Sequence, residues 1–273
     1  MALIAIASAK GAPGVTTFAV ALAALAPRRA VLADLDPAGG DLGLRYPAPD
    51  GQPLNPDRGL LSLGADVRRD PAAPFPPHVQ LVSGGLEVLV GANSPEQMTA
   101  LGPVWPALGQ IMQNAPQRDV IADCGRVTVG SPTLPVLQAA NVLVLLARDS
   151  VEQLAHLRER LFALSPLLGP GTRLCTVIVA PEKNRATQGD TQRLLASAGL
   201  QVPVVGVVAD DPKGARLLAG AEAGSAGRST LIRSMRSVVP AIYGLMGSGG
   251  TPRPSSGGGA RPAARRGEGA MQA

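Results

Sequence analysis

The stretch Ser8-Ala9-Lys10-Gly11-Ala12-Pro13-Gly14-Val15-Thr16-Thr17 decides how this chain is read. Residues 3–7 before it are an apolar run with two isoleucines, the signature of a buried strand. Residues 16–26 after it are an Ala/Leu-rich helix stopped by Pro27. A glycine-rich turn between a strand and a helix lets successive backbone N–H groups converge on an anion. The helix N-terminus adds its dipole, and a Ser/Thr hydroxyl is suited to Mg²⁺. Gly11, Gly14 and Thr16 meet those needs. The common phosphate-loop pattern GxxxxGK[ST] asks for glycine at position 9 and lysine at position 15. The chain has Ala9 and Val15 there, and its lysine, Lys10, comes five residues earlier.

Residues 30–33 form a second apolar run ending in Asp34, which makes strand, loop, helix, strand: the first half of a doubly wound sheet. Residues 39–77 are rich in proline and read as loop, with one helix over 60–68. Residues 79–82 and 86–90 flank Ser83-Gly84-Gly85 as a hairpin. A helical segment over 94–114 starts at Ser94-Pro95-Glu96-Gln97 and should break at Pro103 and Pro106. Strands are expected over 120–122 (ending in Asp123), 142–147, 174–180 and 202–208. Helices are expected from the Ser150 cap to 164, over 187–197, 212–219 and 229–245. This alternation predicts an α/β, doubly wound, mostly parallel sheet of about seven strands with helices on both faces, in one domain over residues 1–246. Residues 247–273 are Gly/Pro/Arg-rich and read as a disordered tail.

Composition narrows the partners. The net charge is +5, but the tail holds Arg253, Arg261, Arg265 and Arg266 against Glu268, leaving the first 246 residues nearly balanced. The body therefore carries no strongly basic nucleic-acid face. Six aromatic residues among 273 offer few stacking platforms for single strands. The tail has two readings, weak contact with DNA or with an anionic membrane. Cys124 and Cys175 both lie in apolar runs and are expected buried and reduced, and two cysteines without a histidine cluster make no zinc site. His78 and His156 are expected at the surface. Arg148 either approaches the switch region at Asp34 to Pro37 or caps a sheet edge. The longest clean apolar stretch, 18–26, is too short to span a bilayer. The opening MALIAIASA mimics a secretion signal but lacks a basic start. The chain is thus expected to be cytoplasmic, without an integral membrane segment.

The loop, written KGAPGVTT, resembles the KGGxGKTT loop of the deviant Walker A P-loop ATPases, the MinD/ParA superfamily. Val31-Leu32-Ala33-Asp34-Leu35-Asp36-Pro37 resembles that family's second strand and DxDP switch, Val120 to Gly125 its Walker B strand, and Asp210-Asp211-Pro212 its late segment. The likeness spans about residues 1–246. The run from Asp34 to Leu44 and Asp123-Cys124-Gly125-Arg126 resemble the CpaE/TadZ-like branch. The resemblance implies a P-loop NTPase fold that uses ATP and Mg²⁺. It implies an ATP-sandwich homodimer and a role in pilus or secretion assembly or in division, with localisation at the membrane, pole or septum. It implies that Lys10 reaches the partner's phosphates across the dimer. The nucleotide would be held by Lys10, Gly11, Ala12, Pro13, Gly14, Val15, Thr16 and Thr17. Thr16, Asp36 and Asp123 would serve the metal, and Asp36 would position the attacking water or sense the γ-phosphate. Asp34 would stand behind the site. Val15 departs from the family's lysine, so hydrolysis is expected to be slow or absent. The alternative is a pseudo-ATPase scaffold that dimerises constitutively.

Overall fold

The run that reads as the first strand is β1 (Leu3–Ser8) in the computed structural model, which describes residues 1–181, 186–222 and 224–247. Every residue of β1 is buried. Leu3, Ala5 and Ala7 enter one core and Ile4 and Ile6 the other, so the strand is apolar throughout because both faces of the sheet are covered. α1 (Val15–Ala24) follows, then β2 (Ala30–Asp34), a short α2 (Leu42–Arg45) and α3 (Leu60–Arg69). β3 (Gln80–Leu81) and β4 (Glu87–Leu89) form the expected antiparallel hairpin. α4 (Pro95–Ala100) and α5 (Trp105–Gln113) are separated by a 3₁₀ turn, Gly102–Val104, where the prolines interrupt the ladder. The rest is β5 (Asp119–Arg126), α6 (Leu134–Ala139), β6 (Val142–Arg148), α7 (Val151–Leu164), β7 (Arg173–Ala180), α8 (Thr187–Ser197), β8 (Val204–Ala209), α9 (Pro212–Leu218) and α10 (Thr230–Gly247).

The strands join one sheet in the order β3-β4-β2-β5-β1-β6-β7-β8. All neighbours are parallel except β3 and β4. The expected α/β sheet of about seven strands is thus one of eight. α1 and α10 pack on one face, and α3, α5, α6, α7 and α8 pack on the other. β5 inserts between β1 and β2, and the chain reverses direction across the sheet at β1. In such sheets the crevice at the carboxyl ends of the strands on either side of the reversal is the usual binding place.

Buried polar contacts pin this frame. The Asp119 carboxylate accepts from the Ala2 N–H (2.8 Å), Arg28 Nε (3.0 Å) and the Tyr243 hydroxyl (3.1 Å), tying β5 to the chain start, the α1–β2 turn and α10. Asp211 accepts from the Gly214 N–H and from Thr230 Oγ1, both at 2.8 Å, and so caps α9 while holding the start of α10. Ser150 accepts from the Gln153 N–H, the expected cap of α7. Cys124 and Cys175 are free and buried, as expected. His78, expected at the surface, is buried: its Nδ1 meets Ser62 Oγ at 2.8 Å and its Nε2 lies 3.2 Å from Asp66 Oδ2, both on α3. Among the described residues no helix is long and apolar enough to cross a membrane. The tail expected over 247–273 lies outside the described residues from Ser248 onward.

Candidate functional site

β1 ends at Ser8 and α1 begins at Val15, so the loop between them sits where the carboxyl ends of β1, β2 and β5 meet. Gly14 caps α1 with φ 92°, and Gly11 has φ 72°. Both lie in the left-handed region that residues with a Cβ avoid, which is why the loop needs glycine at these two places. The Gly14 carbonyl then accepts from the Phe18 N–H at 2.8 Å, and the helix starts cleanly with its N-terminal N–H groups facing the loop.

A cavity of about 340 Å³ opens over this loop. Gly11, Ala12, Gly14, Val15, Thr16 and Thr17 line it from below, and Asp36 lines it from the end of β2. Asp36 is half-buried, and its Oδ1 accepts from the Ala38 N–H at 2.9 Å. Pro13 faces a neighbouring recess of about 170 Å³ between the loop and Asp210-Asp211-Pro212. Arg148 lines that recess and is ion-paired with Asp210, so it stands beside the loop and Asp210, not at the Asp34–Pro37 segment, and its strand β6 is internal to the sheet.

Asp123 lies at the carboxyl end of β5, out of solvent, with Oδ1 accepting from the Gly125 N–H at 3.1 Å and Oδ2 without a partner. Burial and the neighbouring Asp34 push its carboxyl up to about 7, against help from the Thr16 hydroxyl and the Gly125 N–H. Asp34, 2% exposed, is raised to about 6, chiefly by burial, while its Oδ2 accepts from the Leu42 N–H at 3.0 Å. A buried carboxylate oxygen with no donor, beside a threonine hydroxyl at a helix start, fits a Mg²⁺ shell: a cation would satisfy the orphaned lone pairs and favour the charged form.

Lys10 stands apart from this group. It is exposed and lines neither cavity; its Nζ lies 3.0 Å from His156 Nε2 on α7. The ammonium can only donate, so Nε2 accepts and the neutral ring carries its proton on Nδ1. The sequence reading missed Ser8, Arg45 and Arg126, which also line the loop cavity. Cys124-Gly125-Arg126 directly after Asp123 was the available signal for Arg126. Nothing in the local pattern marked Arg45.

No protein-family model and no curated protein sequence matches the chain. Solved structures do. A ParA family ATPase from Chlorobium tepidum superposes with a TM-score of 0.67 at 16% identity, over 89% of this chain and 97% of that one. The septum site-determining protein MinD of Pyrococcus horikoshii, in complex with Mg-ADP, gives 0.65 at 16% identity over 90% and 97%. MinD of Aquifex aeolicus, in its complex with MinC, gives 0.58 at 16% identity over 98% and 100%. The described chain therefore has the fold of the MinD/ParA ATPases.

Proposed function

We propose that the chain is a MinD/ParA-like, CpaE/TadZ-type ATP-binding protein. It pairs through nucleotide-dependent dimerisation and so localises or assembles a pilus, secretion or division apparatus at the membrane, pole or septum. The observation that carries this reading is the convergence of the Gly11–Thr17 loop, Asp36 and the orphaned Asp123 Oδ2 at the carboxyl ends of three adjacent strands.

The roles follow from the chain's own groups. The backbone N–H groups from Gly11 to Thr16 orient the phosphates, and Thr17, which lines both the cavity and the neighbouring recess, touches the α-phosphate. The Thr16 hydroxyl, Asp123 and Asp36 would hold Mg²⁺. When bound, the metal neutralises charge on the transferring phosphoryl group. Asp36 orients a water or senses the terminal phosphate. Val15 brings no cation, so one charged hydrogen bond of about 1.5–3 kcal/mol is missing, and turnover is slow or absent.

Three exposed apolar side chains support self-association. Leu44 (84% exposed), Val129 (51%) and Val151 (82%) lie on the segments flanking the loop: one beside Arg45, one just past Arg126, one two residues before Gln153. The Gln153 amide lies 3.0 Å from where a Cβ on Gly11 would stand, which puts the start of α7 against the loop. An apolar rim around a charged crevice suits a second copy placed face to face. Lys10 on that face would then leave His156 for the partner's phosphates.

Val15 also favours a second reading, a non-hydrolysing scaffold that dimerises constitutively. Sedimentation of the wild type and Lys10→Ala with and without Mg-ATP separates the two. Dimers that need both ATP and Lys10 support the first. Dimers indifferent to both support the scaffold, and no binding of Mg-ATP at millimolar concentration removes nucleotide use altogether.

A further inference from the structure

β1 and β5 run in regular register from Leu3 opposite Val120 to Ile6 opposite Asp123, and then slip: Ser8 pairs with Arg126, not with Gly125. Two residues of β1 thus match three of β5, which is a bulge at Cys124-Gly125. Gly125 has φ 56°, and a Cβ there would collide with the Asp36 carboxyl, so only glycine turns the strand at this point with Asp36 packed on it. Side chains alternate along a strand, and three residues past Asp123 would normally put Arg126 on the opposite face of the sheet. The bulge shifts the alternation by one. Arg126 lands on the face that Asp123 and Ser8 share, and it lines the cavity over the loop.

The charges in that cavity are few. Of the two arginines lining it, Arg45 donates to Asp41 Oδ2 at 2.6 Å, whereas Arg126 is exposed and forms no ion pair among the described residues. Its strand partner Ser8 is 1% exposed and lines the same cavity, and its buried hydroxyl finds no partner. Lys10 is turned away toward His156, and Val15 contributes no charge. An arginine without an ion pair among the described residues and a serine with an unpartnered hydroxyl therefore both line the place where phosphates would lie, in a loop lacking its usual cation.

We infer that Arg126, swung into the cavity by the Gly125 bulge, supplies within one protomer the phosphate-binding cation that Val15 does not. Ser8 Oγ adds a neutral contact to the same ligand, the phosphate chain of a nucleoside triphosphate. A guanidinium suits that task, since its planar fork meets two phosphate oxygens at once. This rests on the nucleotide reading above, but it makes a claim of its own. The cation comes from the strand after the acidic residue, not from the loop or from the partner subunit.

The test is calorimetric titration of Mg-ATP and of AMP into the full chain, comparing wild type, Arg126→Ala, Arg126→Lys and, as a control, Arg193→Ala on α8. Arg126→Ala is expected to weaken Mg-ATP roughly ten- to a hundredfold, with AMP weakened by much less. Arg126→Lys should recover part of the loss and Arg193→Ala should match wild type. Arg126 is exposed, so an unchanged melting temperature checks that the fold is kept. Mg-ATP affinity of Arg126→Ala within threefold of wild type overturns the inference and leaves the nucleotide reading standing. Wild type that binds no Mg-ATP overturns both.

Discussion

Asp34 and Asp123 are register partners on neighbouring parallel strands, and both carboxyls are out of solvent. Two acids so placed cannot both ionise cheaply, and their carboxyls rise to about 6 and about 7, mainly through burial. The unfolded chain gives up these protons near the ordinary value of 3.8, so between about pH 4 and 7 it ionises while the folded chain does not. The stability these groups contribute therefore falls as pH rises through that window and levels off above it. The metal-free Asp123→Asn variant should escape most of this. Its thermal unfolding should be less sensitive to pH from about 4.5 to 8, and it should be more stable than wild type at pH 8 by about 1–2 kcal/mol. Parallel pH profiles for the two proteins would refute this account of the pair.

Val15 is 7% exposed and stands at the first position of α1, where it lines the loop cavity and packs into the core on that face of the sheet. A lysine there can lay its methylenes along the apolar wall and carry its ammonium into the cavity. Val15→Lys is expected to raise Mg-ATP affinity roughly tenfold and to raise the hydrolysis rate measured by phosphate release. A soluble, cooperatively melting variant with wild-type affinity would show that this position does not reach the phosphates.

The sequence made the loop and most elements legible, because the strands buried on both faces read as clean apolar runs and the helices carry caps or breakers. Residues 187–197 and the Ser150 cap of α7 came out as expected. What escaped was too short or depended on tertiary contact. α2 and α6, with four and six residues, are shorter than a hydrophobic period needs to declare itself. β5 was expected to end at Asp123 but continues to Arg126, because Cys124 and Gly125 bulge out of register and Arg126 pairs again with Ser8 of β1. His78 looks like any loop histidine until α3 folds against it and presents Ser62 and Asp66. At the site, Gly11, Gly14, Thr16 and Asp36 could be picked out because each meets a backbone or charge requirement visible in the chain. Arg45 could not, since only the fold brings it to the loop, and the run Asp123-Cys124-Gly125-Arg126 does not show by itself that the bulge turns Arg126 toward the loop.

Gly125 should be intolerant of any side chain. Its φ of 56° and the clash of a new methyl with the Asp36 carboxyl would act together in Gly125→Ala. A cost of about 1–3 kcal/mol in denaturant unfolding is expected. Gly130→Ala is a useful contrast, since the new methyl would meet nothing closer than the Thr128 hydroxyl at 3.9 Å. Comparable losses in the two variants would mean that the bulge carries no special strain.

Lys10 Nζ and His156 Nε2 are neighbours within one protomer. Their 3.0 Å contact holds the lysine against α7 of its own chain. A lysine destined for the partner's phosphates must first give up this contact, so the His156 bond competes with dimer formation. Both side chains lie toward the surface, and removing the imidazole should leave the fold intact. His156→Ala is therefore expected to raise the fraction of dimer at subsaturating Mg-ATP a fewfold, without changing the melting temperature by more than a degree or so. A single exposed hydrogen bond of about 0.5–1.5 kcal/mol supports a shift of that size and not a larger one. The check is sedimentation velocity across an ATP series, with Lys10→Ala/His156→Ala as the companion. If the histidine acts only through Lys10, the double variant behaves as Lys10→Ala alone. An increase in dimer that persists without Lys10 would instead assign the effect of His156 to the apolar rim at the start of α7.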